Sequence, residues 1–139
     1  MPDYSNSKFE ITILSPQIFR LRPFDGVELD EHDAREMREV YLRLSGNQPF
    51  AILLDASEHF TPTKEASALL ASREFSETRI AAAFVTDSLA NKLFGNFFIR
   101  FNKPASPTKM FNDEARAFKW LEEQVEKFTE QSNRLSSRP

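Results

Sequence analysis

A single α/β domain with elements in the order ββαβαβαβα is predicted by three observations. Phe50 to Leu54 and Ile80 to Val85 are runs in which every residue is apolar, the mark of a strand covered on both faces. Segments with apolar residues at helical spacing separate and follow these runs, which implies right-handed crossovers onto a mostly parallel sheet. Near the N-terminus apolar and polar residues alternate, adding an antiparallel hairpin at one edge. At 139 residues the chain suits one core with flanking helices.

The elements follow in order. Phe9, Ile11 and Ile13 alternate with Glu10 and Thr12 as a half-buried strand; Pro16 breaks it, and Ile18, Phe19 and Leu21 open its hairpin partner. Asp25-Gly26 marks a turn, and Asp30 is placed to cap a helix by accepting the free amide of Asp33. Met37, Val40, Tyr41 and Leu44 give that helix its apolar face, and Gly46 its left-handed stop. The run from Phe50 ends at Asp55. Thr61-Pro62 then reads as a hydroxyl N-cap with proline at the first helical position, ahead of Ala66, Leu69 and Leu70. Arg79 opens the second apolar strand, closed by Thr86-Asp87, either of which is expected to cap a third helix. Pro104 and Pro107 end that helix, Thr108 to Phe111 forms an edge strand, and Asn112 is expected to cap the last helix. There Phe118, Leu121, Val125 and Phe128 form a core stripe. Residues 8–131 make up the domain; 1–7 and 132–139 read as flexible ends.

Composition excludes several classes of function. With no cysteine, disulfides, thiolate metal sites and cysteine nucleophiles are absent. Three glycines, Gly26, Gly46 and Gly95, are too dispersed for a phosphate-cradling loop or a nucleophile elbow. The two histidines, His32 and His59, form no metal-ligand motif, so neither a metal nor a cofactor is expected. The first residues lack the basic start and apolar core of a signal peptide. No apolar run exceeds six residues, so no membrane span is expected and the predicted location is cytoplasmic. Charge is uneven: Asp25 to Glu39 holds seven acids against two arginines, whereas Ser88 to Asn112 holds four bases and no acid. Such asymmetry steers partners more than it shapes a fold.

Element order, the run Phe50 to Asp55, the helix opening near Thr61 and the string Arg79 to Leu89 together resemble the STAS domain, the SpoIIAA-like fold of anti-sigma-factor antagonists. Lys92 to Phe98, Phe101-Asn102-Lys103-Pro104, Pro107-Thr108-Lys109 and Trp120-Leu121 are similar to a subgroup of small uncharacterised bacterial STAS-like proteins. The resemblance covers about residues 8–130. It implies a non-enzymatic module that binds proteins, nucleotides or apolar ligands. Antagonists of this kind carry a phosphorylatable serine in an Asp-Ser-Ser/Thr-Gly motif at a helix start. Here the matching segment is Thr61-Pro62-Thr63-Lys64-Glu65, which offers hydroxyls at Thr61 and Thr63 but neither the Asp-Ser pair nor the glycine.

Two candidate sites follow. Open α/β sheets bind ligands beyond the carboxyl ends of their strands, which here gathers Asp55, Thr61, Thr63, Thr86 and Asp87, with His59 nearby. Amide dipoles would favour an anion there, but a carboxylate about 4 Å away opposes it by roughly 4 kcal/mol. The same residues also serve simply as caps and turns. No oriented base or oxyanion hole is legible, so acid–base or metal chemistry at Asp55, His59 and Asp87 has little to support it. The second candidate is the third helix. On its wheel Leu89, Leu93, Phe97 and Phe101 lie side by side, and Ala90, Phe94 and Phe98 extend the apolar face to about half the circumference. This arc is wider than a sheet-covering stripe needs, so Phe94 and Phe98 at its rim are expected to be partly exposed unless the Pro104–Phe111 segment covers them. The expected function is therefore a binding or regulatory module, homodimeric or docking a protein partner through Phe94, Phe97, Phe98 and Phe101. The alternative is a carrier of a small apolar or nucleotide ligand, with its pocket at the carboxyl edge of the sheet. Interleaved bases and aromatics also occur in single-strand nucleic-acid sites, but four bases in an acidic chain argue against nucleic acid.

Overall fold

In the computed structural model, which describes residues 1–136, the alternating N-terminal stretch folds as β2 (Phe9–Ser15) and β3 (Ile18–Pro23), paired antiparallel from Phe9↔Pro23 to Ser15↔Ile18. Ahead of them Tyr4–Ser5 pairs with β2 as β1, although the sequence suggested a loose end there. This end is fastened because the Tyr4 hydroxyl donates to Glu36 and β1 finds an open strand edge. Then come β4 (Glu28–Leu29), α1 (Glu31–Leu44), β5 (Phe50–Asp55), β6 (Thr61–Pro62), α2 (Lys64–Ala71), α3 (Arg73–Ser76) and β7 (Arg79–Val85). The chain closes with α4 (Leu89–Phe97), a π-helical turn (Phe98–Asn102), β8 (Thr108–Phe111) and α5 (Glu114–Ser136). The C-terminal end expected to fray from 132 is thus helical to Ser136, and residues 137–139 lie outside the described residues.

Six strands form one mixed sheet in the order β1-β2-β3-β5-β7-β8, parallel from β3 onward; β4 and β6 make a separate two-stranded parallel pair. The fully apolar β5 is covered on both faces, as its sequence requires. Phe50 and Ile52 pack with Phe9, Phe19, Met37, Val40 and Tyr41 beneath α1. Ala51 and Leu53 pack with Ala81, Ala83, Ala117 and Leu121 beneath α5. Helices α1, α2 and α4 therefore share one face of the sheet, and α5 holds the other.

The caps show how local chemistry sets element ends. Asp30 accepts from the Asp33 amide at 3.0 Å while Asp33 accepts from the Asp30 amide at 2.9 Å, a reciprocal capping box. Three other caps lie one or two residues later than the sequence suggested. Thr61 does not cap α2: Pro62 biases it to extended backbone, it pairs with Glu28 in β6, and the Thr63 hydroxyl caps Ala66 at 3.0 Å. Thr86 and Asp87 do not cap α4, because the Thr86 hydroxyl is occupied by the Ser88 amide and Ser88 itself caps Asn91. Asn112 likewise gives way to Asp113, which accepts from Ala115.

The largest departure concerns α4. Phe98 is buried at 6% exposure and Phe94 is half-buried, whereas Leu89, Leu93, Phe97 and Phe101 stand 55–72% exposed. The helix is turned by two residues outside its apolar arc. Asn91 and Gly95 follow Phe98 around the wheel, on the side away from the leucines, and both are buried. The Asn91 amide donates to the carbonyls of Ala56 at 2.8 Å and Glu58 at 2.9 Å. A Cβ on Gly95 would lie 2.6 Å from Met110 Sδ, so only glycine lets the helix approach β8 this closely with Met110 where it is. Phe94 and Phe98, next to these residues on the wheel, are drawn inward, and the leucine–phenylalanine row is left outside.

Phe98→Ala is accordingly expected to cost about 3 kcal/mol in urea unfolding. Phe97→Ala should cost about 1 kcal/mol or less, reflecting its 4.3 Å stack on Phe101.

Candidate functional site

Two features on opposite sides of α4 could carry function. On its outer side Leu89, Leu93, Phe97 and Phe101 recur every four residues, a stripe about 18 Å long at 1.5 Å per residue. Lys92, Asn96 and Arg100 form the adjoining row, so the stripe has a basic border.

On its inner side lies an apolar cavity of about 90 Å³ between α4 and the sheet. Leu21, Ile52, Leu54, Ala82 and Phe84 form its floor. Met37 and Tyr41 of α1, Leu70 of α2, and Phe94 and Phe98 roof it. Ala82 is the smallest residue of this floor. A second cavity of about 20 Å³ shares Met37, Tyr41, Leu70 and Arg79 with the first and is also lined by Arg38.

The polar groups at this junction are poorly matched to their surroundings. Arg79 is half-buried, and its desolvation pulls its pKa down to about 10. Its guanidinium donates to the Ser106 hydroxyl at 2.9 Å and the Ser76 hydroxyl at 3.2 Å. Among the described residues no carboxylate pairs with Arg79 or Arg38. Arg38 lays its guanidinium 5.6 Å from the Phe75 ring centre, while its buried Nε has no acceptor. Burial pushes the Tyr41 phenol well above its usual range, so it stays a neutral hydroxyl.

Of the nine residues singled out in the sequence, Phe94 and Phe98 line the cavity and Phe97 and Phe101 belong to the outer stripe. The five at the carboxyl edge line neither cavity. Asp55 caps its own turn through the Ser57 amide at 3.1 Å, Thr63 caps α2, and buried Thr86 holds Ser88. Thr61 and Asp87 are exposed. Among the described residues no group of three or more histidine, cysteine or acidic side chains is placed to hold a metal ion. No helix among them is long and apolar enough to cross a membrane. Sequence reasoning missed Arg38, Tyr41 and Arg79. A signal existed for Arg79, an arginine leading directly into a wholly apolar central strand.

Fold and site together define a small α/β module of SpoIIAA-like architecture. The chain belongs to the family described as Domain of unknown function (DUF7793), whose model matches residues 12–125. Among solved structures it is similar to an uncharacterised DUF3478-family protein with a SpoIIAA-like fold from Shewanella loihica PV-4. That likeness has a TM-score of 0.57 at 17% identity and covers 85% of this chain and 98% of the other. No curated protein matches.

Replacing Arg79 by the similarly long Met removes a half-buried charge that lacks a carboxylate partner among the described residues. Melting and urea unfolding of Arg79→Met are expected to show unchanged stability, or a gain of up to about 2 kcal/mol. A loss of more than about 2 kcal/mol would mean that the arginine is a structural requirement.

Proposed function

We propose that the protein is a non-enzymatic regulatory module of the STAS type that acts by docking, with a second copy of itself as the partner. The observation that carries this is the outward row Leu89, Leu93, Phe97 and Phe101. The four side chains, each already partly covered within its own chain, leave roughly a few hundred Å² for an interface. That approaches, without reaching, the ~800 Å² per partner of a standard interface. Covering a phenylalanine is worth roughly 1.5–3 kcal/mol, and a twofold axis through the stripe would cover four of them. The SpoIIAA-like fold, whose known relatives work mainly by binding, supports the same reading. A twofold arrangement also brings the two basic borders near each other, so salt should strengthen the association by screening them.

A second reading, a carrier of small apolar ligands, is favoured by the 90 Å³ cavity. This cavity lies beneath α4 and reaches Leu54, Phe60, Pro62 and Phe84 at the carboxyl ends of β5 and β7.

Sedimentation velocity tests the docking reading. Wild type is expected to be dimeric at concentrations on the order of 100 µM and Phe97→Asp monomeric, with the dimer tightening as salt rises. A wild type that stays monomeric at these concentrations rules out the second copy as partner.

A further inference from the structure

We propose that the paired cavities form a binding site for a small amphipathic carboxylate, its head held between Arg38, Tyr41 and Arg79 and its apolar body lying in the larger chamber. This rests on reading that chamber as a ligand site. The argument starts from what the junction lacks. Two half-buried arginines, without carboxylate partners among the described residues, and a neutral tyrosine hydroxyl line the smaller cavity, which shares Met37, Tyr41, Leu70 and Arg79 with the apolar chamber. Buried cations are normally paired, and an unsatisfied buried donor such as Arg38 Nε is rare in folded proteins. Ser76 and Ser106 satisfy two of the Arg79 donors but supply no countercharge. An anion would supply the missing charge.

Size and geometry narrow the class. The smaller space, about 20 Å³, holds little more than the roughly 10–15 Å³ of one water-sized group, so it admits an oxygen of a carboxylate and leaves no room for a tetrahedral phosphate with its shell of oxygens. A flat carboxylate matches the planar fork of a guanidinium, and a tyrosine hydroxyl adds a third donor. The larger space, about 90 Å³, is smaller than the ~150 Å³ cavity that takes up benzene, which suits a body of roughly four or five carbons.

Hexanoate and its uncharged counterpart hexanamide are the probes, titrated by calorimetry into the full-length protein with amide shifts mapped by NMR. The expected result is hexanoate binding at least tenfold tighter than hexanamide, with shifts at Leu70, Ala82 and Phe98. Arg79→Met should lose at least tenfold in hexanoate affinity while leaving hexanamide within twofold. Arg38→Met should show the same pattern and serves if the first variant does not fold. Equal affinity for the two probes would overturn the carboxylate anchor but leave the chamber as an apolar site. Binding of neither would overturn both, and shifts confined to the outer stripe would likewise contradict this site.

Discussion

The Asn91 amide, donating to two loop carbonyls beyond β5, is the constraint on which both candidate surfaces of this protein depend. Alone, α4 has apolar residues around half its circumference, more than one sheet face needs, and the leucine–phenylalanine row is the larger part of it. A buried asparagine changes that, since its hydrogen bonds can be made in one rotation only and leaving them unmade would cost about 1–3 kcal/mol per group. Gly95 reinforces the choice by allowing close approach to Met110. Hydrophobic burial would have favoured the leucine–phenylalanine row; directional polar bonding and a missing side chain select the opposite face.

One rotation thus sets both candidate surfaces. Phe94 and Phe98 become the roof of a chamber, and Leu93 and Phe97, each one residue earlier, become an outward ridge. The π-helical turn carries the ridge on to Phe101 before Lys103, in left-handed conformation, ends it. On the proposed readings, ligand contact on one side of the helix and partner contact on the other would let one short element serve both roles.

Architecture was largely legible in the sequence because the hydrophobic period reports burial on strands and helices. The doubly covered β5, the hairpin, the Asp30 cap and the α5 stripe all follow from it. Two kinds of feature did not. Caps at Thr63, Ser88 and Asp113 were misplaced because neighbouring residues offered equivalent oxygens, and tertiary pairing decided among them. The face of α4 was misassigned because a helical wheel weighs apolar area and not the bonding of one amide. Arg38 and Tyr41 sit three residues apart on α1, but Arg79 opens β7, and only the packed fold brings it to the same cavity.

Hydroxyl-radical footprinting read by mass spectrometry at low protein concentration tests the orientation of α4 most directly. Phe97 and Phe101 should be oxidised readily, while Phe98 is protected and Phe94 reacts slowly. If Phe98 is oxidised as fast as Phe97, the helix lies the other way round, and both the outer ridge and the chamber beneath it are contradicted.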